Sequence, residues 1–334
     1  MKLSASLYSS KYSSLIESAN ELEGYMVDYW HIDSRENFSV FEDIDKLGAA
    51  SAIPVDLHLI TRDPFSFYKE LNRENIRRVS FQIEEIQEDF QFQKLDGKDI
   101  GLAIQIGHPT IIKTISQYKD QVDFVLIMMT TPGISGGQFN KDHFATIRHL
   151  VQSFPEIQWC IDGGVNHEVS YILRLIGVQS VVIGSYLLNH ENMAQAILQI
   201  RSTHVRSEFK VKDFYIPNEN LPIVTQADTV ISLLLAMQKY QLGIAFFLDA
   251  GGRLSGIISN ADIRKVLIEG DFTYDTSIKN FINANPKFIS DDASTSDMIE
   301  YIRKISFPIL VLPVLNHEKK LKGAISFHKL LKEE

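Results

Sequence analysis

The chain has 334 residues, which at roughly 150 residues per domain points to two domains. Apolar residues make up 45% and charged residues 22%, a balance that supports packed cores and excludes disorder. A net charge of −9 offers no broad basic face for nucleic acid, no apolar run approaches the roughly 18 residues of a membrane span, and the single cysteine, Cys160, forbids an internal disulfide. The opening run from Met1 to Leu15 has no signal-peptide core, so a cytoplasmic protein in a reducing compartment is expected, without a membrane or nucleic-acid partner.

Short apolar runs mark strands at Leu3–Tyr8, Met26–Asp33, Val55–Ile60, Arg78–Ile83, Ile100–Ile106, Asp123–Met129, Ile157–Asp162 and Val181–Gly184. Helical spacing marks Tyr12–Leu22, Phe65–Leu71, Thr110–Tyr118, Phe144–Phe154, Glu168–Leu175 and Met193–Ile200 between them. Two inter-strand segments are weak: Val40–Ala50 is short, and Glu84–Lys94 is rich in charge and glutamine. Repeated strand-then-helix units over residues 1–204 predict an α/β fold, a parallel sheet covered by helices. A (β/α)8 TIM barrel is the natural closure, and periodicity leaves a doubly wound open sheet as the alternative.

The C-terminal ends of these strands carry unusual residues. The second has His31 and Asp33, two apart and therefore on one face; the third has Asp56 and His58; the seventh ends at Asp162. All such ends meet on one rim of a parallel barrel, so two histidines and two aspartates converge there. Alone, a strand-end His or Asp is usually a hydrogen bonder that anchors a loop. Together, His31, Asp33, His58 and Asp162 form a nitrogen and oxygen donor set suited to Zn, Fe(II), Mn or Co. Asp56, deeper on the strand, reads as a structural partner. Glycines follow the sixth, seventh and eighth strands: Gly133, Gly136 and Gly137, then Gly163-Gly164, then Gly184-Ser185. Each pair alone is an ordinary turn signal, but their shared placement predicts a backbone cradle for phosphate. Cys160 shares parity with Asp162 and reads as packing.

Ala5-Ser6-Leu7, His31-x-Asp33, Asp56-Leu57-His58-Leu59, Pro132-Gly133 with Gly136-Gly137-Gln138, Ile161-Asp162-Gly163-Gly164-Val165 and Ile183-Gly184-Ser185 occur in the order and spacing of one family. Residues 1–204 resemble ribulose-phosphate 3-epimerase. The resemblance implies a divalent metal held by His31, Asp33, His58 and Asp162. It also implies that Asp33 and Asp162 exchange a proton with opposite faces of a ketose phosphate while the metal stabilises the enediolate. Ser6 would hydrogen-bond substrate, and the glycine loops with Ser185 would take its phosphate. The departures concern recognition. The family's three methionines are Arg35, Ile60 and Met128 here, its strand-four histidine is Gln82, and the run Ser34–Phe38 is one residue short. Arg35 would either bind a second anionic group or turn to solvent.

Ser202–Lys210 is polar and reads as a linker, beyond which the sequence repeats. Val211-Lys212-Asp213-Phe214 returns as Ile278-Lys279-Asn280-Phe281, and Gly256-Ile257-Ile258-Ser259 returns as Gly323-Ala324-Ile325-Ser326, with the same offset of 67 residues. Each copy predicts an extended start, a helix (Thr229–Lys239; Thr295–Lys304), two strands with a turn, and a closing helix (Asp262–Leu267; Phe327–Lys332). Phe246, Phe247, Phe307 and Leu312 read as core. Residues 205–334 resemble a tandem pair of cystathionine-β-synthase-type (CBS) domains, an α+β module with copies at about 208–270 and 275–334. The resemblance implies an adenine nucleotide or nucleotide-sugar at Ser259, Asp262 and Ser326, with Lys329 weakening the second site, and a homo-oligomer.

The combined reading is a metal-dependent epimerase of a ketose phosphate, by default D-ribulose 5-phosphate to D-xylulose 5-phosphate. A different sugar phosphate from surface-polysaccharide biosynthesis, and a non-catalytic sugar-phosphate-binding regulator, are the alternatives.

Overall fold

The structure, a computed structural model, describes residues 1–9, 14–86, 90–134, 136–202, 207, 209–269, 277–307 and 309–328. The chain divides into two compact units, Met1–Val205 and Arg206–Glu334.

In the first unit β1 (Lys2–Ser6), β2 (Tyr29–Arg35), β3 (Val55–Ile60), β4 (Ile76–Gln82), β5 (Asp99–Gln105), β6 (Phe124–Met128), β7 (Gln158–Asp162) and β8 (Ser180–Ile183) form a closed barrel in chain order. Every pairing is parallel, and β1 closes on β8 by pairing Lys2–Ala5 with Ser180–Ile183. Closure disposes of the open sheet and leaves no unpaired edge. The helices are α1 (Leu15–Leu22), α2 (Val40–Ala50), α3 (Ile111–Tyr118), α4 (His143–Ser153), α5 (His167–Ile176), α6 (Ser185–Leu188) and α7 (Met193–Arg201).

Local chemistry sets several of these boundaries. Ser14, Asn166 and Asn192 accept hydrogen bonds from the backbone N–H three residues on and so start α1, α5 and α7. Gly177, at φ 103°, ends α5 in the left-handed conformation. Val40–Ala50, weak by length, is a complete helix, because Val40, Phe41, Ile44 and Leu47 make one buried stripe. Phe65–Leu71 is not an α-helix. It forms two 3-10 turns, Pro64–Ser66 and Glu70–Asn72, which let Phe67 stack on Phe38 at 4.3 Å and Tyr68 on Phe81 at 5.5 Å. In Glu84–Lys94 only Ile83–Glu85 is helical, as a 3-10 turn. Phe90 and Phe92 beyond it pack on Phe81, and residues 87–89 lie outside the described ones. Strand two also runs two residues past Asp33, with Arg35 in register with Ile60.

Alternation along the strands divides the barrel interior. On β1–β4 the polar inward positions below the rim are Ser4, Ser6, His31, Asp33, Asp56, His58, Arg78, Ser80 and Gln82. All but the half-buried Asp33 are buried. On β5–β8 the interior beneath Asp162 holds an apolar cluster of Ala103, Phe124, Leu126, Met128, Cys160 and Val182. Cys160 is packing, and burial pushes its thiol pKa up.

The second unit holds β9 (Ile216–Pro217), β10 (Ile223–Val224), α8 (Val230–Tyr240), β11 (Ile244–Leu248), β12 (Leu254–Ser259), α9 (Asn260–Glu269), β13 (Ile289–Ser290), α10 (Thr295–Arg303), β14 (Val311–Leu315) and β15 (Leu321–Ser326). Its sheets run β10-β11-β12 and β13-β14-β15-β9. The sequence repeat reappears as register: Ile244 faces Ser259 and Val311 faces Ser326, and both hairpins slip at matching points, Phe247/Leu248 and Val314/Leu315. The copies also exchange their leading segments. Strand β9 of the first copy pairs with β15, while Asn283 of the second bridges to Ile257. Phe246, Phe247 and Leu312 are buried, but Phe307 is exposed: it follows α10 in an irregular stretch before β14 rather than lying on a strand. Pro308, Lys329 and most of the predicted second closing helix fall outside the described residues, as do residues 203–206 and 208 of the linker.

Gly256 makes the exchange possible, since a Cβ there would stand 2.7 Å from the Asn283 carbonyl oxygen. We expect Gly256→Ala to lower the stability of the chain by about 1–3 kcal/mol, measured by urea unfolding, without changing the signals of the barrel.

Candidate active site

Adjacent strands supply the centre of the site. Asp33 on β2 is in register with His58 on β3, and His31 lies one inward position below Asp33. His31, Asp33 and His58 each offer a ligand atom, and those atoms lie within 4.8 Å of one another. His58 Nδ1 is 2.9 Å from Asp33 Oδ1, and His31 Nε2 is 3.5 Å from the same oxygen. Asp162, at the end of β7, lies outside this trio but brings Oδ2 to 3.9 Å from His31 Nε2. His31 therefore sits between two carboxylates whose strands are separated around the barrel by β1 and β8. Both imidazoles are fully buried, whereas the carboxylate side chains are 23% (Asp33) and 17% (Asp162) exposed. The carboxylates are the members that an entering molecule meets.

A lower layer holds the imidazoles. The His58 Nε2–H donates to Gln82 Oε1 at 2.7 Å, which fixes the ring with Nδ1 directed at the cluster. Gln82 in turn donates to Glu84. Below His31, Asp56 Oδ2 is 3.4 Å from Nδ1, accepts from Ser4 Oγ at 2.8 Å and faces Arg78 Nη1 at 3.5 Å. Burial works against the carboxylate of Asp56, yet Arg78 and His31 hold its pKa well below the usual range. Burial likewise opposes charge on His31 and Asp33. Their mutual attraction, with Asp56 and His58, outweighs it, so the pKa of His31 stands well above and that of Asp33 well below the ordinary values. Asp162 behaves differently: burial pushes it up to about 6. Carboxylates with such divergent proton affinities are suited to opposite ends of a proton transfer.

Gln82 and Arg78 carry parts of this site that motif reading leaves out. Gln82 registers there only as a departure from a family, and Arg78 as a strand residue. Their signal is alternation: Arg78, Ser80 and Gln82 are polar at every second position while Val79 and Phe81 are apolar.

The donor set fits a divalent cation. Among the described residues, both ring nitrogens of His31 are buried without a hydrogen-bond partner, and the field that draws positive charge onto His31 would hold a cation. Two imidazoles with carboxylate oxygens match the ligand preferences of Zn, Fe(II), Mn and Co.

Around the opening, Ser6 ends β1 in register with His31, its Oγ 3.1 Å from Ser9 Oγ. Met128, buried, faces Asp162 across β6 and β7. Gly133, Gly136, Gly163 and Gly164 all have positive φ. A Cβ at Gly164 would stand 2.7 Å from the Gln138 carbonyl carbon and one at Gly163 3.0 Å from the Thr130 backbone nitrogen, so these glycines let the loops after β6 and β7 touch, while Gly137 lets the β6 loop fold back on its own Thr130. Gly184 passes as close to Ser9, and Ser185 opens α6. Arg35, with 56% of its side chain exposed, donates to the Pro132 carbonyl at 3.2 Å and pairs with Glu85 at 3.6 Å. Arg35, Glu36, Ile60, Arg62 and Glu85 border a cavity of about 250 Å³. In the second unit Ser259 and Asp262 bond each other reciprocally at the start of α9, side chain to backbone in both directions, and Ser326 holds the corresponding end of β15.

Residues 2–188 match the ribulose-phosphate 3 epimerase family. The chain belongs to this family. Its members are isomerases, and residues 211–269 of this chain match the CBS domain. Ribulose-phosphate 3-epimerase of Methanocaldococcus jannaschii is 25% identical over 230 residues, 64% of this chain and 97% of that protein. The cytoplasmic isoform from Oryza sativa is 22% identical over 220 residues, 63% of this chain and 96% of that protein. An uncharacterized protein of Chlamydia pneumoniae is 30% identical over 131 residues, 38% of this chain, which spans only 40% of that relative's length. A CBS domain pair/ACT domain protein from Thermotoga maritima is a structural neighbour, with 26% identity, a TM-score of 0.31, and coverage of 37% of this chain and 94% of that one. No helix among the described residues is long and apolar enough to cross a membrane.

Replacing Gln82 by Leu strips His58 Nε2 of its acceptor. We expect about a 10–100-fold loss of Zn(II) affinity in competition with a chromophoric chelator, with the fold retained.

Proposed function

We propose that the barrel, residues 1–204, inverts the carbon next to the carbonyl of a ketose phosphate, with D-ribulose 5-phosphate and D-xylulose 5-phosphate as the default pair. One observation carries this reading. The two carboxylates that face the opening, Asp33 and Asp162, approach His31 from strands on different sides of the barrel mouth. Inversion needs a base on one face of the carbon and an acid on the other, with the roles exchanged in the reverse direction. Asp33, held ionised by its imidazoles, is the acceptor for one face, and Asp162, whose burial favours the protonated form, is the donor for the other.

His31, Asp33, His58 and Asp162 would hold the divalent metal, which would supply positive charge where a substrate oxygen becomes negative. The backbone at Gly136, Gly137, Gly163, Gly164 and Gly184, with Ser185, would bind the phosphate. Ser6 and Met128 would border the sugar. The Arg35 cavity favours a second reading of the substrate, a related sugar phosphate with a larger or more polar end directed to β2 and β3. Residues 205–334 we assign as a CBS pair that takes an adenine nucleotide at Ser259, Asp262 and Ser326.

With Mn(II) or Zn(II) present, ribulose 5-phosphate should yield xylulose 5-phosphate. Chelation should abolish turnover and metal should restore it. Stoichiometric metal with no turnover would instead favour the second substrate. Asp162→Asn should slow exchange of the substrate carbon-bound hydrogen with D2O by about 10²–10⁴-fold while sugar-phosphate binding persists. Exchange at the unmodified rate in that variant would remove the two-carboxylate mechanism. For the CBS pair, calorimetry with AMP, ADP and ATP should show heat with at least one, and a flat trace with all three would assign the module a structural role.

A further inference from the structure

Arg78 is a buried cation that the proposed chemistry does not use. Only 4% of it is exposed, on the inward face of β4 and below the His/Asp cluster. A guanidinium in such a place needs a reason, because its desolvation must be offset by partners. Three are present. The Phe124 ring lies 3.9 Å from the guanidinium carbon, the Tyr29 ring lies 5.3 Å away, and Asp56 Oδ2 is 3.5 Å from Nη1. Gly101 serves the same arrangement, since a Cβ there would stand 2.6 Å from Phe124 ring atoms and displace the ring on which Arg78 rests.

The contacts continue upward from Asp56. Its Oδ2, fixed from one side by Arg78 and from another by the Ser4 hydroxyl, faces His31 Nδ1 at 3.4 Å. Fixing Nδ1 at the bottom fixes which way Nε2 points, and Nε2 is the atom between Asp33 and Asp162. We infer that Arg78 is a positioning residue for the metal centre, anchoring Asp56 so that Asp56 orients His31 with Nε2 toward the cation. This rests on the reading of His31 as a metal ligand. Arg78 touches neither substrate nor metal and acts through two intermediates, so its loss should register in metal affinity more than in stability.

The test is Zn(II) titration of the metal-stripped full-length chain against a chromophoric chelator, with thermal melting in parallel. Arg78→Met should weaken Zn(II) binding at least about tenfold, and Arg78→Lys, which restores charge without the planar fork, should recover part of the loss. Leu102→Ala, a buried β5 position on the outer face, is the stability control: it should lower the melting temperature and leave the affinity unchanged. A folded Arg78→Met chain with unaltered Zn(II) affinity overturns the inference while leaving the metal site standing. Should that variant not fold, Asp56→Asn decides by the same measure: a tenfold loss supports the chain of contacts, and unaltered affinity overturns it. Failure of the unmodified chain to bind Zn(II), Mn(II) or Co(II) removes the metal-site reading and this inference with it.

Discussion

A carboxylate sealed from water must have positive charge beside it or surrender its own, and Asp56 meets that demand inside a barrel. Arg78 answers it from β4, His31 from β2, and Ser4 supplies a hydroxyl from β1. Four strands are thereby committed to one buried polar network before any functional atom is placed. The network is a poor device for stability, because ion pairs out of water rarely outdo well-packed apolar side chains. Its value is directional. An imidazole with one nitrogen facing a fixed carboxylate has little freedom to turn the other away from the opening.

The opposite half of the barrel makes this arrangement affordable. Phe124, Leu126, Met128, Cys160, Val182 and Ala103 fill the interior on β5–β8 with apolar contacts, and outward strand residues such as Trp30, Leu57, Phe81 and Val125 are buried as well. Packing and the buried polar support are thus assigned to different arcs of one sheet, and Asp162 at the end of β7 is the acidic group that the apolar arc adds to the site. Phe124 joins them, as a member of the apolar cluster whose ring also carries the guanidinium of Arg78. On the rim, glycines do a second job besides exposing backbone N–H groups. Gly163 and Gly164 let the loops after β6 and β7 lie against each other, so the loop backbone is held by close packing.

Much of this architecture is legible in the linear sequence, for a physical reason. Strands buried on both faces read as apolar runs, and a residue type out of place in such a run, as at His31, Asp33, His58 and Asp162, stands out at once. Helix α2 is legible less readily, because eleven residues with one glycine look short until Val40, Phe41, Ile44 and Leu47 are seen to share a stripe. The segment after β3 misleads because its aromatic residues have helical spacing, yet Pro64 and the pull of Phe38 and Phe81 favour 3-10 turns. Gln82 and Arg78 are hidden for another reason. What they do depends on side chains supplied by neighbouring strands, and register between strands is not written in the spacing within one.

The same alternation separates chemistry from recognition. Moving up β2 and β3 in steps of two, the inward layers run His31 and Asp56, then Asp33 and His58, then Arg35 and Ile60. The lower two layers hold the donor set and its support, and the third borders the cavity at the mouth. Extension of β2 through Arg35 is what creates this third layer, and Glu36, at φ 47°, then clamps the end of β3 by accepting from Thr61 Oγ1 and the Arg62 N–H. Arg35 is thereby set in strand register instead of on a free loop, reaching across to the Pro132 carbonyl. A change at this layer alters what fits above the cluster with little disturbance of the atoms two residues below, because each strand residue is held by its own cross-strand hydrogen bonds. A barrel of this construction can retain its proton-transfer groups while the shape and charge of the entrance change.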